Sequence, residues 1–493
     1  MTPAVLAIDQ GTTSTKAMLV DPSGAAVGFA SVPVRRYYPR PGWVEQDPAE
    51  LWSSVIRAAE QLPKTQISCV GVSSQRESVV IWDRRSGRPL TPCVSWQCNR
   101  GAQLCSHLNA TGAGPIVREL TGLPLDPMFS ASKLRHLLDA DPALRRSADA
   151  GEVCAGTIDS WLAWNLSGRA LHITDAGNAS RTLLFDIHSM SWSHQLLEIF
   201  DLPEACLPEV VASAGILGET VSQGPLPSVA LASLVADSHA ALYGLGCLRP
   251  GTAKATYGTG TSVASPLGTR PGRSANGLAT SVAWVRASPT FALEGNVFSS
   301  GATVEWVAKL LGLEDAAAVE QLALKVASTG GVQIVPAFAG LGAPHWHSEA
   351  RGQISGLTFA SGASEVARAA IESIAFQVSD LVTALESDTG RELEELHADG
   401  GATHNTFLMQ LQADLLGCPV VRSSTPDASA LGAAFLAGLA TGLFDGEQQV
   451  ESIGRRGQTV EPRMGEEHRN VLLAGWHQAV RRVIATDPRE LAT

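Results

Sequence analysis

The chain has 493 residues and a formal net charge of −12, a length that suits two large domains or several smaller ones. The acidic balance argues against a general nucleic-acid binder, which draws on a basic patch. An anionic ligand would therefore have to be held locally, by a loop and a cation. With 45% hydrophobic residues and 47 glycines, the chain can bury a large close-packed α/β core.

The start of the chain reaches an aspartate by position 9 without a basic opening, so no signal peptide is expected. The longest apolar stretch, 431–444, is broken by glycine and shorter than the roughly 20 residues of a membrane helix. The cysteines (69, 93, 98, 105, 154, 206, 247 and 418) are scattered, with no C-x-x-C. They read as reduced thiols of a cytoplasmic protein.

In chain order, residues 5–8, 16–20 and 26–34 predict a three-strand meander, turning through Asp21-Pro22-Ser23-Gly24. Residues 48–62 predict a helix, with Asp47 as cap and Pro48 in its first turn. Residues 67–73 and 79–82 return to strand. A comparable order recurs later: strands at 253–256, 279–285, 290–294 and 396–399, then a helix over about 405–416. Leu408, Leu411 and Leu415 give that helix a buried stripe. The expectation is two related α/β lobes, residues 1–247 and 248–493.

Five stretches carry candidate chemistry. Asp9-Gln10-Gly11-Thr12-Thr13-Ser14-Thr15-Lys16 is no P-loop, because strand and not helix follows it. Yet glycine and small hydroxyl residues let backbone N–H groups approach phosphate, and Lys16 adds a point charge. Asp9 could hold Mg²⁺ through water; an ordinary Thr-rich hairpin is the plainer alternative. Thr256-Tyr257-Gly258-Thr259-Gly260-Thr261 repeats the hydroxyl–glycine chemistry. Asp399-Gly400-Gly401-Ala402 ends a strand and opens a helix, where unpaired N–H groups favour anionic or polar ligands.

Arg76 and Glu77 end another strand, either as a surface ion pair of little value or as a grip on a polyhydroxylated ligand. Asp237 stands where an apolar strand meets a small-residue helix, either as a helix cap or as a general base. Trp96, after Pro92-Cys93-Val94-Ser95, is expected to face a ligand. His345-Trp346-His347 has H-x-H spacing but no third ligand cluster, and reads as a loop lip.

Longer stretches, among them "GVSSQRESVVIWDRRSGRPL", "ITDAGNASRTLLFDIH", "ATYGTGTS" and "DGGATHNTFLMQLQADLLGCPVV", resemble the FGGY family of carbohydrate kinases, and within it most of all the glycerol kinases. The resemblance runs from Ala7 to about Gly475. It implies two actin-like, ribonuclease-H-like lobes closing over ATP, Mg²⁺ and a small polyol or sugar. Asp9 would organise the Mg²⁺, with Asp237 near it. Thr12, Thr13, Ser14 and Lys16 would cradle phosphates, faced by Gly258, Thr259 and Gly260. Gly400, Gly401, Ala402 and Asn405 would border the adenosine. Arg76, Glu77 and Trp96 would hold the acceptor, and Asp237 would be the base. A homodimer is a family-level expectation.

Against the glycerol kinases, Met128 stands for a tyrosine, Ser238 for a glutamine and Ser262 for an aromatic. All three belong to the implied acceptor pocket. The retained Arg76, Glu77, Trp96 and Asp237 keep glycerol as the nearest resemblance, while the smaller residues at 238 and 262 suggest a larger acceptor, such as a four- or five-carbon polyol or ketose. His136 stands for a usual tryptophan. The 223–228 loop lacks the arginine tied to sugar-bisphosphate inhibition in some bacterial members. The lobed fold is shared with actin and Hsp70-type chaperones, so a non-catalytic ATP-switched binding protein competes with the kinase reading. The acceptor set Arg76, Glu77, Trp96 and Asp237 argues against it, since an ATPase switch does not need one.

Overall fold

The computed structural model describes residues 3–485. Its first sheet begins with the hairpin foreseen in the sequence. Pro3–Gln10 pairs antiparallel with Ser14–Val20, which pairs with Ala26–Pro33. Gln66–Ser74 joins the other side of Pro3–Gln10 in parallel, followed by parallel Ala230–Ala236 and antiparallel Ala214–Glu219. Alternation along the first strand decides which layer covers each face. Leu6 and Ile8 pack under the helix Pro48–Glu60 and under Ile158–Leu166, while Val5 and Ala7 face the opposite helical layer. Asp47 caps Pro48–Glu60, accepting from the Ala49 amide at 2.8 Å.

The second sheet repeats that topology. Thr252–Tyr257 pairs antiparallel with Thr261–Gly268, which pairs with Pro289–Val297. On its other side lie parallel Glu395–Asp399, then parallel Val420–Ser423, then antiparallel Gly457–Val460. The 27-residue helix Ala363–Thr389 supplies much of this lobe's core. Corresponding strands therefore end in corresponding residues. Asp9 and Thr256 lie at the ends of the two first strands, Ser73 and Asp399 at the ends of the two fourth strands. After the fifth strands, Asp237 opens the helix Asp237–Gly244 and Asp427 caps the helix Ala428–Ala440.

A smaller unit rides on the first lobe. It is a four-stranded sheet of Glu45–Gln46, Cys93–Val94, Val79–Asp83 and Val153–Thr157, packed with Ser130–Ala140 and Pro142–Asp149 around Phe129, Leu134 and Phe200. It carries Trp96 and Met128 beside the first lobe. All eight cysteines are unpaired and buried. Among the described residues no helix is long and apolar enough to cross a membrane.

The two helices that follow the fifth strands cross between the sheets. Ala428–Ala440 packs against the first sheet as well as against Asp237–Gly244. The crossing is close because glycines meet backbone there. A Cβ on Gly432 would lie 1.8 Å from the Ala240 carbonyl oxygen, and one on Gly244 would lie 2.2 Å from that of Ala428. Helix propensity favours alanine over glycine by about 1 kcal/mol. Overpacking costs typically about 1–3 kcal/mol, and here the clash is with backbone, which cannot give as a flexible side chain does, so it outweighs that gain. Gly432→Ala is therefore expected to lower the melting temperature despite its better helix propensity; an unchanged or higher value would show that the crossing tolerates the added methyl.

Candidate functional site

The strand ends of the first sheet, together with the helix cap from the second half of the chain, build one charged cluster. Asp9 is buried and pairs in register with Lys16 on one neighbour and Ser73 on the other. Ser73 Oγ donates to Asp9 Oδ1 at 2.8 Å, and Lys16 Nζ donates to Asp9 Oδ2 at 3.3 Å. Lys16 Nζ also donates to Asp427, whose other oxygen accepts from the Ala430 amide at 2.7 Å. Burial, then the charge of Asp427, raises the Asp9 pKa against the pull of Lys16. Burial works against the charge on Lys16, but Asp9 and Asp427 outweigh it and raise its pKa.

The hydroxyl turn projects from this cluster. Gly11 N closes it on the Ser14 carbonyl at 3.0 Å, and Thr13 is exposed at its tip. Thr12 turns toward the smaller unit, where its Oγ1 accepts from the Trp96 indole at 2.9 Å. That bond ties a phosphate-loop candidate to an acceptor candidate 84 residues away.

A second charged cluster lies next to the first. Arg76 is clamped end-on by Glu294 of the second sheet, with Nη1–Oε2 at 2.5 Å and Nη2–Oε1 at 2.7 Å. Its Nε lies 3.7 Å from Glu77 Oε1 and 3.6 Å from Asp237 Oδ1. Glu77 holds a left-handed backbone (φ 61°) and accepts from Arg181 Nε at 2.7 Å. Asp237 is the most open of the group, with 34% of its side chain exposed. Burial raises its pKa and Arg76 opposes the rise. Ser262 Oγ donates to Glu294 Oε1 at 3.3 Å, and the Ser238 and Ser262 hydroxyls lie 3.3 Å apart. Met128 stays partly buried against the smaller unit's core, and its carbonyl accepts from the fully buried Lys133.

The hydroxyl–glycine loop of the second lobe occupies the position equivalent to the first hydroxyl turn. Gly258 and Thr259 are exposed, and their carbonyls accept from Gly301 N at 3.1 Å, Ser300 N at 2.9 Å and Ala302 N at 3.1 Å. The loop is thus fastened to the start of the helix Gly301–Leu311. Gly400 sits against this strand with φ 94°, where a Cβ would lie 2.3 Å from the Tyr257 carbonyl oxygen; only glycine fits. Gly401 opens to space, Ala402 packs on the core, and Asn405 caps the helix Thr406–Leu416 through Leu408 N at 2.8 Å.

Glu294, Arg181, Asp427 and Lys254 were not singled out in the sequence. Glu294 had a local signal, a carboxylate inside the otherwise apolar strand around Phe291, Leu293 and Val297. Asp427 could be read as a helix cap, but its bond to Lys16 spans 411 residues. Lys254 is buried beneath the second sheet's end, donating to Thr256 Oγ1 at 3.0 Å.

Two lobes of one topology, each with a hydroxyl–glycine loop after its first strand and carboxylates at its strand ends, have the architecture of a two-lobed phosphotransferase. Residues 4–243 match the N-terminal domain of the FGGY family of carbohydrate kinases and residues 253–441 match its C-terminal domain. The chain belongs to that family. It is accordingly an enzyme that transfers a phosphoryl group from ATP to an alcohol group of a small molecule. It is 47% identical to the glycerol kinase of Alkalilimnicola ehrlichii over 97% of this chain and 98% of that one. The glycerol kinase of Dechloromonas aromatica is 46% identical, over 97% of both chains. Among solved structures, the Plasmodium falciparum glycerol kinase with ADP superimposes with a TM-score of 0.93 at 32% identity, covering 98% of each chain.

The H-x-H stretch lies elsewhere and has a structural explanation. His345 Nε2 is 3.1 Å from Asp380 Oδ2, which also accepts from the Trp476 indole at 2.8 Å. His477 Nε2 lies 3.0 Å from Asp380 Oδ1. Asp380 thus fastens both the 336–347 loop and the helix Glu466–Ala485 to the lobe. Among the described residues no three His, Cys, Asp or Glu converge as a metal cage. The bond to Asp380 raises the His477 pKa above its ordinary 6.5. The stabilisation is therefore complete below the unfolded value and is lost as pH rises through the higher folded one. The melting-temperature gap between wild type and His477→Gln should be widest below pH 6.5 and narrow above it. A gap independent of pH would deny the ion pair.

Proposed function

We propose that the chain phosphorylates a terminal hydroxyl of glycerol, with ATP as donor and Mg²⁺ as the phosphate counter-ion. The observation that carries the reading is the Trp96–Thr12 bond at 2.9 Å. It ties Trp96, whose amide also donates to the Ser78 hydroxyl beside Glu77 at 3.0 Å, to the Asp9–Lys16 turn, which supports acceptor and donor phosphate sharing one cleft. The relatives named glycerol kinase, at 46–47% identity over nearly the whole chain, support glycerol over a four- or five-carbon acceptor.

In this reading Thr12, Thr13, Ser14 and Lys16 bind the β and γ phosphates from the first lobe, and Gly258, Thr259 and Gly260 bind them from the second. Gly400, Gly401, Ala402 and Asn405 border the adenosine. Arg76, Glu77 and Trp96 orient the acceptor, with Met128, Ser238 and Ser262 shaping its pocket. The oxygen donors around Asp9 and Asp237 suit a hard cation that keeps much of its water, and Asp9's burial beside Asp427 leaves negative charge there for a cation to balance. When bound, Mg²⁺ neutralises phosphate charge. The division between residues 1–247 and 248–493 belongs to the same reading, as does a cytoplasmic location, which fits eight unpaired thiols.

Asp237 takes the proton of the attacking hydroxyl as its oxygen bonds to the γ phosphorus and the bond to ADP breaks. Phosphoryl transfer needs little covalent help, so alignment and charge dominate. Burial raises the Asp237 pKa, the direction that strengthens it as a base. Asp237→Asn is expected to lower kcat by ~10²–10⁴-fold while nucleotide affinity holds; near wild-type turnover would remove Asp237 from the role. Across acceptors of three to six carbons, glycerol should give the highest kcat/KM, and a clear preference for a larger polyol or ketose would overturn glycerol as the acceptor.

A further inference from the structure

We propose that Glu294 is a positioning residue for the acceptor site: it fixes the Arg76 guanidinium from the opposite lobe and so makes the grip on the acceptor depend on both lobes. The inference rests on the reading of Arg76 as an acceptor contact. Arg76 follows the strand Gln66–Ser74 of the first sheet, and Glu294 lies in Pro289–Val297 of the second, 218 residues on. Their two bonds, at 2.5 and 2.7 Å, form the parallel fork that guanidinium and carboxylate make best. The Glu294 side chain is 0% exposed and that of Arg76 11%.

The geometry divides the guanidinium into two edges. The end-on edge, one N–H from each Nη, is consumed by Glu294. The Nε edge has carboxylates at 3.6 and 3.7 Å, from Asp237 and Glu77, which is beyond hydrogen-bond reach. That edge is left to donate to a hydroxyl held between the two carboxylates. Rotation of Arg76 toward either carboxylate would break the Glu294 fork, so Glu294 selects the orientation.

Glu294 is itself held. Ser262 Oγ and Asn296 Nδ2 donate to Oε1 at 3.3 and 3.4 Å. Arg181 Nη1, buried without a hydrogen-bond partner, lies 3.9 Å from Oε2. Ser238, next to Asp237, adjoins Ser262, so the same chain of contacts reaches from the base candidate to the clamp. A buried ion pair is weak evidence for stability, since apolar replacements of equal volume often do as well. The unequal use of the two edges of Arg76 gives this pair a purpose that stability does not.

The test compares wild type, Glu294→Gln, Arg76→Gln and the double variant, measuring acceptor KM and kcat, acceptor binding by calorimetry and nucleotide affinity. Glu294→Gln should weaken acceptor binding about 10- to 100-fold, the loss of a charge-assisted bond, with nucleotide affinity unchanged. In the Arg76→Gln background it should weaken it no further. Wild-type acceptor affinity in Glu294→Gln, or a penalty undiminished without Arg76, overturns the proposal. If Glu294→Gln does not fold, Glu294→Asp keeps the charge and shortens the reach; raised acceptor KM then supports the proposal and a wild-type KM overturns it. A wild-type enzyme inactive on every polyol and sugar would instead sink the proposed function itself.

Discussion

The close crossing of Asp237–Gly244 with Ala428–Ala440 sets the geometry on which the rest depends. Each helix leaves the end of a fifth strand, one in each sheet. Their separation is set by Gly244 and Gly432, which let backbone meet backbone. Close-packed interiors transmit such a constraint without slack. Because Asp237 begins one helix and Asp427 caps the other, the crossing fixes two carboxylates beside the strand ends that carry Asp9 and Lys16. The Ser429 hydroxyl, donating to the Asp237 carbonyl at 3.0 Å, pins the two helix starts together.

That arrangement gathers more buried charge than stability alone would select. Lys16 lies between Asp9 and Asp427, and Arg76 and Arg181 lie among Glu77, Glu294 and Asp237. Desolvating ions costs several kcal/mol each before their attraction returns it. Burial pulls the Glu294 pKa upward, and the charges of Arg76 and Arg181, with a smaller pull from His239, hold the carboxyl well below its ordinary value. Charges placed in such a way are positioned in advance, which is how electrostatic stabilisation acts in a site with little covalent chemistry to perform.

Much of this was legible in the chain. The hairpin around Gly11, the cap at Asp47, the helix stripe at Leu408, Leu411 and Leu415 and the recurrence of the strand pattern all rest on local rules of alternation, turn chemistry and capping. Asp9, Arg76 and Asp237 stood out as polar residues at the ends of apolar strands. Glu294 offered only the weaker signal of a carboxylate inside an apolar strand, because its partner Arg76 lies 218 residues away, beyond any sequence window. The purpose of the H-x-H stretch, as one arm of the Asp380 clasp, needed His477, far along the chain.

The sequence by itself determined the elements, their order and the kinds of residue at their ends, since these follow from contacts within a few residues. It also determined the family, through long stretches kept in order. Only the tertiary structure decided which ends meet. Lys16 chooses Asp427, Trp96 chooses Thr12 and Arg76 chooses Glu294 over its neighbour Glu77. Partner choice among charges depends on distance and burial, and both are set by how two sheets and two crossing helices pack rather than by spacing along the chain.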